Sequence, residues 1–409
     1  MRILQLCNKS PYPAKEGGPI AMNAITQMLL KEGHEGHEEH EVKIIAVNTP
    51  KYNIDIHSID PAYRQATQIE LVQVDTKLSV VGALKSLFRN VSYHVERFKS
   101  KQLEQKLIDV LSKENIDVVI FETIYLAIYA DVIRKYSRAK LILRAHNVEH
   151  TVWQRIAFNT SFGLKKIYLS LLAKQLKTYE QKIIRDFDEV WCISSVDADW
   201  FRKQTDTIPV DVIPFGVDED QILQTPVPFS SDTLFSIGSM DWLPNLDGVQ
   251  WFLDTVWEQI HRSYPDLVYK IAGRNMPESL QNRQTEGVDV VGEVADAHDF
   301  MQNNGILIVP LWSGSGIRIK IIEAMSMGKV VITTSLGIEG IEAQNGIHVL
   351  IANTPKDFLS AVDFCIQQPQ SCAEIGETAM QLIRQQHNNS VIGEKMNVLL
   401  KQIVAKDLE

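Results

Sequence analysis

The sequence predicts an α/β protein of two domains, and three observations carry that prediction. At 409 residues the chain exceeds what one ordinary core holds, so two domains of nearly equal size are expected. Short apolar runs alternate with longer amphipathic stretches, the pattern of buried parallel strands joined by crossover helices. Glycine-bearing loops close several of these runs and lead into helices, as at Gly17-Gly18 and Gly314-Ser315-Gly316. In open α/β sheets that carboxyl edge is where ligands bind.

In the first domain Ile3 to Cys7 is a buried strand, and its loop passes through Gly17-Gly18 into a helix expected from about Pro19 to Lys31. The tract from Gly33 to Glu41 carries imidazoles and carboxylates without an apolar anchor, so it reads as a solvated turn rather than a metal site. Val42 to Val47 and Leu71 to Val74 are further strands. Ser79 to Lys113 is patterned as helix, with Leu84, Leu87, Phe88, Val91, Val95 and Phe98 among basic residues, and Gly163 to Arg185 repeats the pattern. Both read first as helices packed on the sheet with lysines outward, and second as surfaces able to lie on an anionic membrane.

Val118 to Phe121 ends in Glu122, and Leu141 to Leu143 ends in Arg144-Ala145-His146-Asn147-Val148-Glu149. Both endings fall at the ligand edge of the sheet, which makes His146 the site candidate of this domain, ahead of Glu122 and Glu149. After the strand Asp188 to Ile193 comes Asp197-Ala198-Asp199, a spacing that can hold a divalent metal. With Ser195 as a helix N-cap and the two acids in the first turn, the capping reading is preferred. Val210 to Pro214 is the last strand, and Thr225-Pro226-Val227-Pro228 is the clearest composition break, which sets the domain boundary near residue 225.

The second domain has strands at Leu234 to Ile237, at Tyr269 to Ala272 before Gly273-Arg274, and at Val288 to Val291. The run Ile306 to Val309 is cut by Pro310, and a helix is expected from near Gly316 to Gly328 before the strand Val330 to Thr333. On that helix Ile317, Ile321 and Ala324 share a packing stripe, while Lys320 and Glu323 share another. A strand, a glycine loop and a helix start present free N–H groups to an anion, most often phosphate. Lys320 suits a second phosphate oxygen, and Glu323 suits a pair of sugar hydroxyls, so the ensemble describes a nucleoside diphosphate. Pro355 to Gln367, Ser371 to Gln386 and Ser390 to Val404 complete the chain as helices.

The run from Pro310 through Val331 resembles the donor-binding signature of retaining glycosyltransferases of the GT-B fold, family 4: a proline-ended strand, a glycine loop, a glutamate, an Ala-Met pair and Gly-x-x-Val-Val. The glutamate is Glu323; the family's second glutamate, eight positions earlier, is Ser315 here, and its Gly-Leu pair is Arg318-Ile319. The resemblance implies two Rossmann-like domains facing across a cleft, residues 1–225 for the acceptor and 226–389 for the nucleotide sugar, with the helix 390–409 crossing back to the first domain. It implies metal-independent, retaining hexosyl transfer from a UDP- or GDP-sugar to a saccharide or polyprenyl-linked acceptor, with no cofactor, as in polysaccharide biosynthesis. His146, Lys320 and Glu323 then take catalytic positions, and Gly17, Gly18, Arg274, Gly314, Ser315, Gly316, Arg318, Lys320 and Glu323 bind the donor. The arginine and lysine that many members carry in the Gly238 to Asn245 loop are absent, leaving Arg274, Arg318 and Lys320 as the basic groups. On a wheel Arg318 lies opposite Lys320, which makes Lys320 the safer phosphate ligand. A nucleotide-sugar epimerase, and a non-catalytic nucleotide-sugar-binding homologue motivated by Ser315, are the alternatives.

Composition narrows the classes. A net charge of −10 gives no support for nucleic acid as a partner. Cys7, Cys192, Cys365 and Cys372 show no metal-ligand spacing and read as buried, reduced thiols. The start of the chain reads as a strand rather than a signal peptide, and no run approaches the roughly 18 apolar residues of a membrane span. A cytoplasmic protein is expected, with peripheral contact at the inner membrane face as the second reading.

Overall fold

The computed structural model describes residues 1–14, 17–31, 40–77, 79, 82, 86, 91–314 and 316–405. The acidic and imidazole tract 33–39, Ser315, and Leu84, Leu87 and Phe88 of the first amphipathic stretch lie outside the described residues. The chain divides into two compact units, Met1–Phe215 with Ser390–Glu409, and Gly216–Asn389.

The first unit is built on seven parallel strands: β1 (Arg2–Cys7), β2 (Glu41–Asn48), β3 (Glu70–Gln73), β4 (Val118–Phe121), β5 (Lys140–Ala145), β6 (Glu189–Cys192) and β7 (Val210–Val212). Their order is β3-β2-β1-β4-β5-β6-β7, so the winding reverses between β1 and β4. Alternate residues of those two strands feed opposite layers. Leu4, Leu6, Val119 and Phe121 enter one core, and Ile3, Cys7, Val118 and Ile120 enter the other. This is why the strands read as mainly apolar runs, with Gln5 of β1 the buried polar exception. The final helix, Asn389–Ala405, sends Ile392, Met396, Leu400 and Ile403 into the second of these cores.

The second unit has six parallel strands: β8 (Thr233–Ile237), β9 (Val268–Ala272), β10 (Val288–Gly292), β11 (Ile306–Val309), β12 (Val331–Thr333) and β13 (Leu350–Ile351). Their order is β10-β9-β8-β11-β12-β13, with the reversal between β8 and β11. The four cysteines are free and buried. No helix among the described residues is long and apolar enough to cross a membrane.

Several elements differ from the sequence reading. The composition break at Thr225–Pro228 lies inside the second unit, because the chain after Phe215 is already hydrogen-bonded there. The Val217 N–H donates to the His387 carbonyl at 2.8 Å, and the Val227 N–H to that of Met327 at 2.9 Å. The stretch expected to be helical from Ser79 is interrupted: a single turn at Tyr93–Glu96 is followed by a fresh helix, Lys101–Lys113, capped by Ser100. The helix after the first glycine pair starts at Gly17, not Pro19, and the helix after Gly316 starts only at Ile319. Strand β13, two residues long, carries too little periodicity to be read from sequence.

At the carboxyl edge of the second sheet, Gly238 and Gly273 follow β8 and β9 and their backbones touch. A Cβ on Gly273 would sit 1.8 Å from the Gly238 carbonyl oxygen. Gly273→Ala is therefore expected to destabilise the protein by about 2–3 kcal/mol or more. Denaturant unfolding measures this, and a loss within about 0.5 kcal/mol would show that the two loops separate freely.

Candidate functional site

In the second unit β11 ends at Val309, and Pro310, which has no N–H to give, closes the ladder. Gly314 follows with φ +100° and Gly316 with φ +80°. At Gly314 glycine is needed twice over, because a Cβ there would also lie 2.9 Å from Trp242 Cζ2. The helix Ile319–Ser326 buries Ile321, Ile322, Ala324 and Met325, which leaves Lys320 and Glu323 on the side away from the core. Lys320 Nζ donates to the Ile237 carbonyl at 2.9 Å and to Asn245 Oδ1 at 2.8 Å. Asn245 is turned to receive it because its own Nδ2 donates to the Ser239 carbonyl at 2.9 Å. The ammonium therefore sits at the point where the sheet's winding reverses, between β8 and β11.

Burial, helped by the charge of Arg318 and opposed by Glu323, pushes the Lys320 ammonium down to about 7. Burial likewise pushes the Glu323 carboxyl up to about 7, against the pull of Lys320. Arg318 is 4% exposed and stands ahead of the helix as its N-cap residue, so the wheel argument that turned it away from Lys320 does not govern it. Its guanidinium lies 6.0 Å from the centre of the Trp242 ring. Arg274, directly after β9 and Gly273, accepts the Met240 N–H on its carbonyl at 2.9 Å and brings a further cation to the same edge.

In the first unit the corresponding reversal, between β1 and β4, holds a buried polar network. Glu122 Oε1 accepts from Gln5 Nε2 at 2.7 Å, and Gln5 Oε1 accepts from Thr26 at 2.7 Å. Glu122 Oε2 accepts from Arg144 Nη1 at 2.8 Å and lies 2.8 Å from His146 Nε2. Burial alone would raise the Glu122 carboxyl, but the Arg144 charge and the hydrogen bonds from His146 and Arg144 outweigh it and hold the group below the usual carboxylate range. For His146, burial first and then the charges of Arg144 and Lys9 outweigh Glu122 and hold the imidazole below its usual value. His146 Nε2 also lies 2.9 Å from Arg144 Nη1. Of the two contacts we assign the Nε2 proton to the shorter one, to Glu122, which leaves Nδ1 as the acceptor. The His146 side chain is 17% exposed.

Gly17 and Gly18 open the helix Gly17–Lys31, and a Cβ on Gly18 would come within 3.1 Å of Lys9 Cε. Glu149 accepts from the Tyr125 hydroxyl at 2.6 Å; burial, more than that bond and helped by Glu180, pushes its carboxyl up to about 7. In the Asp197-Ala198-Asp199 run the N-cap is Ser194, not Ser195. The Ser194 hydroxyl donates to Asp197 at 2.6 Å, while Asp199 turns outward to Arg202 at 3.0 Å, so the two carboxylates are engaged separately.

Sequence reading missed Gln5, Arg144 and Asn245. Gln5 and Arg144 each leave a signal, a polar side chain inside or near the end of an otherwise apolar strand. Arg144→Met leaves the Glu122 carboxylate buried without its cation, and unfolding in denaturant is expected to show a loss of about 3–5 kcal/mol. A loss below about 1 kcal/mol would mean that Glu122 does not carry its charge in the folded protein.

Two parallel Rossmann-like sheets, each with polar groups gathered at its winding reversal, are the architecture of the GT-B fold. Residues 231–368 match the family model described as glycosyl transferases group 1, and residues 37–221 the one described as glycosyltransferase family 4. The chain belongs to this family. A Klebsiella pneumoniae protein described as an uncharacterized 44.6 kDa protein in a cps region is 23% identical, over 96% of this chain and 97% of its own. The crystal structure of Anabaena HepE in complex with UDP shares the fold with a TM-score of 0.63 at 14% identity, covering 98% of this chain and 100% of that one. Sucrose-phosphate synthase from Thermosynechococcus elongatus does so at 0.69 and 13% identity, covering 99% and 100%.

Proposed function

We propose that this glycosyltransferase moves a sugar, with retention of anomeric configuration, from a UDP- or GDP-sugar to a hydroxyl of a saccharide or polyprenyl-linked saccharide at the inner face of a membrane. The observation that carries the reading is Lys320, a buried amine held at the β8/β11 reversal in the helix that follows a glycine loop, with Glu323 one turn further on. The Anabaena protein's complex with UDP and the relative in a cps region support, respectively, a nucleotide donor and an acceptor in polysaccharide assembly.

In this reading the diphosphate lies over the loop and the helix start at Ile319. Lys320, with Arg318 near it and Arg274 offered from the end of β9, meets the charge that grows on the leaving phosphate, which is the work a divalent metal would otherwise do. Glu323 accepts from the ribose hydroxyls. His146, neutral and fixed by Glu122, accepts at Nδ1 from a hydroxyl of the transferred sugar and holds the reacting carbon in place. The acceptor hydroxyl attacks on the face the phosphate leaves, and its proton passes to the departing phosphate oxygen.

The charge states give the pH dependence its sign. Above about 7 Lys320 is neutral and must gain a proton to bind phosphate; below about 7 Glu323 is protonated and must lose one to accept from ribose. Nucleotide affinity is therefore expected to peak near neutrality and decline on both sides. Lys320→Met removes the alkaline limb and Glu323→Gln the acidic one. Calorimetry with UDP and GDP, without added metal, tests this: one nucleotide binds, and Lys320→Met weakens it about tenfold or more. Binding of neither nucleotide would remove the assignment.

His146→Asn is expected to lower turnover on the order of 10²-fold and leave nucleotide affinity unchanged. A matching loss of nucleotide affinity would place His146 in donor binding instead.

A further inference from the structure

The segment after β5 forms a helical hairpin, Glu149–Asn159 against Leu164–Ile183, whose two ends are built differently. Its base is locked. Glu180, fully buried, accepts from the N–H groups of Glu149 at 2.8 Å and His150 at 3.1 Å, and pairs with His150 Nδ1 at 2.6 Å. Its tip is open: Phe158, Phe162 and Leu164 are 79%, 92% and 87% exposed, the three most exposed large apolar side chains among the described residues.

The second helix carries two apolar stripes where packing needs one. Leu169, Leu172, Ala173 and Leu176 face inward, at i, i+3, i+4 and i+7, and the first two join Ala157 and Tyr93 in a small core. Leu164, Ile167 and Leu171, at i, i+3 and i+7, form a second stripe whose members are all exposed. It continues the apolar surface of the tip.

Charge selects the occupant. Between His150 and Tyr179 the chain has five cations, Arg155, Lys165, Lys166, Lys174 and Lys177, and no acid, although the whole protein carries −10. Lys166 reaches back over the tip, donating to the Phe158 carbonyl at 3.0 Å with its ammonium 5.6 Å from the centre of that ring. Apolar side chains among basic ones match the boundary layer of an anionic bilayer, where rings enter the acyl region and ammonium groups stay with phosphates. A second copy of the chain would set one cationic tip against another. The first helix has 11 residues, so the tip stands about 16 Å from the strand mouth that holds His146.

We propose that the hairpin tip, centred on Phe158, Phe162 and Leu164 with Lys165 and Lys166, docks the protein on anionic lipid. This deepens the reading of a membrane-borne acceptor and rests on it for its purpose, though not for its test. Full-length protein is sedimented with vesicles of phosphatidylcholine alone and of phosphatidylcholine with phosphatidylglycerol, with neither nucleotide nor acceptor present. At least about tenfold more protein is expected on the anionic vesicles, falling as salt is raised. The triple variant Phe158→Ser, Phe162→Ser, Leu164→Ser should lose that excess and keep the wild-type circular dichroism and melting temperature, because these side chains are exposed. Lys165→Glu with Lys166→Glu should lose the dependence on anionic lipid. Equal sedimentation of wild type and triple variant, or none of the wild type, overturns the proposal. So does a wild-type dimer that the triple variant converts to monomer. Vesicle binding without any nucleotide binding would sink the transferase reading and leave this one standing.

Discussion

An ammonium group taken out of water must be held by acceptors the fold supplies, and much of the second unit is arranged to supply them for Lys320. β8 has to stop at Ile237 so that its carbonyl is free to accept Nζ. The next residue must be glycine, because a Cβ at Gly238 would lie 2.7 Å from Asn245 Nδ2 and 3.1 Å from Nζ itself. Asn245 must present its oxygen, which its bond to the Ser239 carbonyl ensures. The helix must begin at Ile319, so that its second residue points back over the β8 end. Neutral acceptors hold the amine without cancelling its charge, and the nearest carboxylate, Glu323, is itself pushed toward neutrality by burial.

The first unit meets the same topological situation with different chemistry. At its own winding reversal Gln5 of β1 reaches Glu122 beyond β4, and the carboxylate is answered by Arg144. That pair is closed: donor and acceptor are both buried, and the charges cancel. What remains at the mouth is a neutral imidazole, a group suited to hydroxyls rather than to phosphate. The contrast between a cancelled charge in one unit and an uncancelled one in the other divides the proposed labour between a neutral saccharide and an anionic donor.

Most of the fold is legible in the sequence because parallel strands buried on both faces must be largely apolar, which is how β4 and β11, and β1 apart from Gln5, announce themselves. The places where reading failed share a cause. The start of the helix at Ile319 was misplaced because glycine and serine are permitted in a first turn, and that error carried over to Arg318, assigned a wheel position it does not occupy. The proline cluster marks a break in composition, but hydrogen bonds to His387 and Met327 commit the chain to the second unit before and at that break. Lys320 and Glu323 could be paired from sequence because a helix brings i and i+3 together. Gln5 with Glu122 and Lys320 with Asn245 could not, since those partners are joined only by the sheet.

Holding Lys320 in this state has a cost that its ligand would recover. The unfolded chain keeps a lysine proton up to about 10.4, whereas the folded protein releases this one near 7. Between those values the unfolded state binds the extra proton, so stability declines as pH falls from the higher toward the lower. At neutral pH the fold therefore carries a destabilising group, and so does Glu323, whose folded value lies above the ordinary carboxylate range. A diphosphate over the loop would restore the lysine's charge and a ribose would fix the carboxylate's. Binding would thus return free energy to the fold that folding alone gave up. In the proposed donor site, a helix start and two side chains poised in this way, unfavourable when empty and favourable when filled, would discriminate an anionic ligand from water.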